Sequence, residues 1–82
     1  MSTNANHARV LQILSDVSAV PVDTIKVTDL LSADLGMDSV ASMELLGMLD
    51  EEFGVEIELE EAQEIEDVGS ILKLVDERIH AV

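Results

Sequence analysis

Three stretches of the chain repeat apolar residues with a helical period. Val10, Ile13, Leu14 and Val17 fall at i, i+3, i+4 and i+7, which lays them along one stripe of a helix. The spacing predicts a first helix from about Asn4 to Val17, with Asn4 or Asn6 as its cap. Val20-Pro21 ends it, because proline disfavours a helical residue before it and has no N–H to donate. The second helix is predicted from Ser39 to about Phe53. Ser42, Leu45, Leu46, Leu49 and Phe53 form one stripe, and Val40, Met43, Gly47 and Asp50 form another on a different face. A helix in a small bundle needs only one buried stripe. The second either packs against the preceding connection or stays exposed as apolar surface rimmed by Glu44, Asp50 and Glu51, the pattern of a partner site. Gly54 is placed to cap the C-terminus. The last helix opens near Asp67, a good N-cap, and runs on the stripe Val68, Ile71, Leu72, Val75 and Ile79. Gly69 is a weak spot in its first turn, and Arg78 and His80 fall near its C-terminus, where cations are favoured.

Between these helices lie two connections. Pro21 to Asp38 is long, with Ile25, Val27, Leu30, Leu31 and Leu35 spaced as anchors to a core. Thr28 or Ser32 starts a short turn, and Asp34-Leu35-Gly36 reads as a break. Val55 to Leu59 alternates like a strand, yet the chain offers no second strand to pair with it. It is expected as an extended linker anchored by Val55, Ile57 and Leu59, followed by one or two helical turns from Glu60 to Ile65. The predicted fold is all-α: a single domain over residues 1–82, a four-helix bundle of three main helices, a short third helix and a long first loop.

Charge sharpens this picture. The net charge is −14, from 18 acids and 4 bases. No base lies between Lys26 and Lys73, and 14 of the acids do, so the middle of the chain carries the whole net charge. Such a chain repels nucleic acid and anionic membranes and suits partners with basic surfaces. A solvated face that keeps a small protein soluble is the plainer reading. The core is aliphatic, with Phe53 the sole aromatic residue. No run is long enough to span a membrane, and Met1 to Asn6 lacks the order of a signal peptide, so the cytoplasm is the expected compartment. With no cysteine, disulfides, thiolate metal sites and a cysteine nucleophile are excluded. His7 and His80 lie near the termini. No serine elbow or EF-hand loop is present, so neither catalytic residues nor a metal site is expected.

The remaining candidate chemistry is Asp34-Leu35-Gly36-Met37-Asp38-Ser39-Val40, at the junction of the long loop and the second helix. It presents a hydroxyl at a helix N-terminus, where free N–H groups and the helix dipole favour an anion such as a phosphate ester. Alternatively, Ser39 or Asp38 is only an N-cap. This segment, with Glu44-Leu45 and Asp50-Glu51-Glu52-Phe53-Gly54-Val55-Glu56-Ile57, resembles the acyl carrier protein family over about Val10 to Ile79.

The resemblance implies a four-helix bundle that catalyses nothing itself. A phosphopantetheinyl transferase would attach 4′-phosphopantetheine to Ser39, beside Asp38, and the arm's thiol would hold acyl or aminoacyl cargo as a thioester. The acidic second helix would present Val40, Met43, Glu44, Gly47, Asp50 and Glu51 to basic surfaces of loading enzymes, acyltransferases and ketosynthases, with the carrier a monomer. Leu45, Leu46, Leu49 and Phe53 match positions that surround a buried acyl chain. Carriers of primary fatty acid synthesis usually read Ala-Asp-Ser-Leu. Met37 and Val40 depart from that, as do Gly47 and Glu66-Asp67, which points to a specialised polyketide or nonribosomal-type pathway. The alternatives are a primary fatty acid carrier, or an acidic interaction module in which Ser39 is a mere cap.

Overall fold

The structure is a computed structural model and describes residues 2–80, with side chains from Ala5 to Ile79. Four helices follow one another: α1 (Ser2–Ser18), α2 (Ser39–Phe53), α3 (Leu59–Gln63) and α4 (Val68–His80). Among the described residues there is no strand, only an isolated antiparallel bridge between Leu30 and Asp67. The predicted four-helix bundle is the observed fold.

The periodic stripes make the core. Val10, Ile13 and Leu14 from α1, Leu45 and Leu49 from α2, and Val68, Ile71, Leu72 and Val75 from α4 are all buried. Val17, Phe53 and Ile79, at the helix ends, pack against them half-buried. Polar ties reinforce the packing at the rim. Arg9 on α1 donates to Glu52 on α2 at 2.9 Å, and His7 Nε2 lies 2.7 Å from Asp76 Oδ2 on α4.

The start of the chain differs from expectation. α1 begins at Ser2, so Asn4 and Asn6 lie inside the helix and cannot cap it. Its end also comes before Pro21. The Ser18 hydroxyl donates to the Leu14 carbonyl at 2.6 Å, competing with the backbone for an acceptor. Ala19 then takes a left-handed conformation, φ +64°, with its N–H on Ser15 O at 2.8 Å. Alanine is strained there because its Cβ crowds the following carbonyl. Ala19→Gly is expected to raise stability by about 1 kcal/mol, ~4–8 °C in melting temperature for a domain of this size. Thermal unfolding followed by circular dichroism checks this. A lower melting temperature would mean that the alanine is not strained.

The long loop is ordered by its own aspartates. The Asp29 carboxylate accepts the Lys26 N–H at 2.9 Å and the Asp34 carboxylate accepts the Leu30 N–H at 2.7 Å. A single 3-10 turn, Val22–Thr24, follows Pro21. Ile25, Leu31 and Leu35 are buried anchors as predicted. Val27 and Leu30 are not: both side chains are exposed, because the backbone there is engaged with the start of α4. The Leu31 N–H donates to Glu66 O, Val68 N–H to Asp29 O and Gly69 N–H to Val27 O, all at 2.9–3.0 Å. Gly69 is therefore a place of close approach. A Cβ at this position would lie 3.3 Å from the Val27 carbonyl oxygen, so its absence lets the loop lie against α4.

After α2, Gly54 adopts φ +67° and its N–H returns to Asp50 O, the αL stop that glycine adopts without strain. Val55 is buried and Ile57 half-buried. Leu59 is half exposed and is no anchor, because it already belongs to α3. That helix has no fully buried residue.

Candidate functional site

α2 begins where the loop turns inward. Leu35 and Met37 are both buried, and the Met37 N–H donates to Leu31 O at 2.9 Å. Two apolar side chains thus pin the segment just before the helix, and Asp38 and Ser39 emerge onto the surface. Asp38 has extended backbone angles, and its carboxylate accepts the Ala41 N–H at 2.9 Å. The cap is Asp38. Ser39 is the first helical residue, exposed, and no hydrogen bond engages its hydroxyl among the described residues. The two sequence-level roles are divided between neighbours: one side chain closes the helix and the other is free.

Ser39 stands at the mouth of a cleft of about 610 Å3. Leu31 and Met37 contribute to it from the loop, Ser42, Met43, Leu45 and Leu46 from α2, Leu59, Ala62 and Gln63 from α3, and Ile71 from α4. Its size falls in the range of small-molecule sites. The residues that the resemblance matches to acyl-chain positions are placed differently from one another. Leu45 and Leu46 line the cleft, but Leu49 is sealed in the core and Phe53, a full helix away from Ser39, does not reach it. The α3 wall was not foreseen, since the alternating apolar residues around it gave no sign of which face turned toward α2.

The predicted partner face is open. Val40 is 64% exposed and Met43 60%, so neither is buried against the long loop. Glu44, Gly47, Asp50 and Glu51 are exposed beside them. Gly47 has no neighbouring atom where a Cβ would stand, and it borders a shallow groove shared with Leu46, Asp50, Glu56, Ile57 and Glu58.

Two carboxylate contacts in the bundle shift the groups that make them. Asp67 caps α4: hydrogen bonds from the Ser70 side chain and from its backbone N–H, the latter at 2.9 Å, hold its carboxyl below the usual carboxylate range. The hydrogen bond and charge of Glu52 raise the Arg9 guanidinium above its ordinary value, so this base is committed to the fold. Among the described residues no three histidine or carboxylate side chains are grouped to hold a metal ion.

An exposed, unbonded hydroxyl at a helix start, with a cleft beside it, is a group that a modifying enzyme can reach. The arrangement suits a phosphodiester-linked arm, since the helix N-terminus favours the phosphate and the cleft offers apolar cover for the rest of the arm. Residues 8–75 match the family model described as a phosphopantetheine attachment site. The chain is 35% identical over 66 residues to the acyl carrier protein of Saccharopolyspora erythraea, covering 80% of this chain and 70% of that one. It is 30% identical over 69 residues to the acyl carrier protein of Rickettsia bellii strain OSU 85-389, covering 84% of this chain and 85% of that one. Fold and site define a phosphopantetheine-bearing carrier. The chain belongs to the acyl carrier protein family, and its prosthetic group is 4′-phosphopantetheine. A phosphopantetheinyl transferase and acyl-handling enzymes are, in general terms, its partners.

Proposed function

We propose that Ser39 is the attachment residue and that the protein presents acyl or aminoacyl intermediates to biosynthetic enzymes of a specialised, polyketide or nonribosomal-type pathway. The observation that carries the assignment is the division of labour at α2, with Asp38 capping the helix and the exposed Ser39 hydroxyl left without a hydrogen-bond partner. When bound, the prosthetic group supplies a thiol that holds the cargo as a thioester, the one thiol in a chain with no cysteine. This chain's residues would hold the other end: the α2 N-terminus would favour the phosphate, and Met37, Leu45 and Leu46 would give apolar surface alongside. Met37 supports the pathway reading. It is buried in the core two residues before Ser39 and lines the cleft, where primary carriers usually have a small residue. We read the protein as a monomeric, non-catalytic carrier of the cytoplasm, folded as one domain. No described helix is long and apolar enough to cross a membrane.

The test is intact mass spectrometry after incubation with coenzyme A, magnesium and a broad-specificity phosphopantetheinyl transferase, with fragmentation to place the adduct. One phosphopantetheine on Ser39 is expected. An adduct on another serine, or none on a folded sample, would overturn the assignment.

The α2 face supplies a second expectation. Glu44→Lys or Asp50→Lys puts a base onto a helix face whose charged side chains are all acidic. Loading by the transferase should slow about tenfold at low salt, through weaker electrostatic steering. The difference should shrink near 1 M salt, where the Debye length is about 3 Å. Circular dichroism should stay at wild type. Unchanged rates at low salt would remove the docking role from this face.

A further inference from the structure

The α3 wall of the cleft is held in an unusual way. None of its five residues is fully buried, so packing alone fixes it weakly. At its C-terminal end the chain is anchored by the half-buried Ile65 and by the Leu31 N–H on Glu66 O at 2.9 Å. At its N-terminal end the buried Val55 and the half-buried Ile57 hold the approach to α3, and one side chain from α4 adds a polar tie. Arg78 Nη1 donates to the Glu56 carbonyl at 2.9 Å, and its Nη2 donates to Glu61 Oε2. Glu61 is doubly engaged, because its Oε1 also accepts the Glu58 N–H at 3.2 Å and so completes the capping box that starts α3. The guanidinium fork spans two points that a lysine ammonium reaches only one at a time. It is one of only 4 bases in a chain with 18 acids, and it is spent on this segment.

We propose that Arg78 is a latch on α3 and sets how far the cleft beside Ser39 opens. With the fork in place, Leu59 and Ala62 stand over the cleft opposite Met43 and Leu46. Without it, α3 loses both its tie to α4 and one support of its own cap, and it swings about the Ile65–Glu66 anchor. Arg78 touches neither Ser39 nor the cleft lining and acts as a positioning residue. The consequence for cargo rests on the assignment of Ser39; the latch itself does not.

The experiment compares wild type with Arg78→Gln and Arg78→Lys by site-resolved amide hydrogen exchange on the unmodified chain. The reporters are the Ala62 and Glu64 amides, bonded to Glu58 O and Glu61 O within α3, with Leu49 and Val75 in the core as controls. Arg78→Gln should speed exchange at the α3 amides about tenfold and leave the core amides unchanged. Arg78→Lys should restore part of the protection. Unchanged α3 exchange, or equal acceleration at Leu49 and Val75, would overturn the latch, the second because it marks a global loss of stability. The same variants are then loaded with octanoyl-phosphopantetheine carrying a 13C-labelled terminal methyl. A methyl shift toward its value in water in Arg78→Gln, reversed in Arg78→Lys, supports control of the cleft. A methyl that stays at its wild-type shift while α3 exchange rises overturns it. Failure of all variants to load, with α3 exchange still faster in Arg78→Gln, sustains the latch and counts only against Ser39.

Discussion

Ser39→Ala abolishes phosphopantetheine loading and leaves the fold intact, whereas Asp38→Ala weakens the fold and leaves a loadable serine. These paired outcomes are expected because the two side chains do different things at one helix start. Asp38 satisfies the Ala41 N–H, an orphan donor in the first turn. Its loss costs about 1 kcal/mol, the usual value for an N-cap. Ser39 is exposed and makes no capping bond, so its hydroxyl contributes almost nothing to stability, within about 0.5 kcal/mol. Intact mass after treatment with transferase and coenzyme A, beside urea unfolding of both variants, checks the pair. Residual loading of Ser39→Ala would move the attachment site elsewhere. A destabilised Ser39→Ala with a neutral Asp38→Ala would return the capping role to the serine.

Leu49→Ala should remove a large share of the protein's stability and leave it folded. Leu49 is fully enclosed at the centre of α2, and truncating such a leucine costs about 2–5 kcal/mol through lost transfer energy and the cavity left behind. A chain of 82 residues has on the order of 4–12 kcal/mol in all. Leu46→Ala, at a half-buried position on the cleft, should cost distinctly less, because water already reaches part of that side chain. Denaturant titrations followed by circular dichroism measure both. Equal costs would mean that Leu49 lines the cleft as Leu46 does, as the resemblance implies, and is not sealed beneath it.

Leu49 marks the limit of what the sequence makes legible. A stripe at helical spacing identifies which face of α2 turns inward, and Leu45, Leu46, Leu49 and Phe53 all satisfy it. It does not tell which member meets another helix and which meets a cleft, since that depends on the crossing of α2 with α1, α3 and α4. The helices were legible for a related reason: Val10 through Val17 and Val68 through Ile79 carry their period in themselves. Gly54 was legible because an αL stop needs so little context. The loop was harder. Ile25, Leu31 and Leu35 look the same in sequence as Val27 and Leu30, and only the backbone bonds to α4 decide which of them face out. Ser39 was legible as a site through its motif, but the choice between cap and free hydroxyl needed the Asp38 angles. Arg78 looked like a helix-end cation, and its bonds to Glu56 and Glu61 lie 17–22 residues away in the chain.

The three backbone bonds that fasten residues 27–31 to residues 66–69 join parts of the chain nearly half its length apart. Contacts so distant in sequence carry a sizeable loop-closure cost and tend to form after local ones. The junction of the loop with α4 is therefore expected to close after the local turns of α1 and α2 have formed.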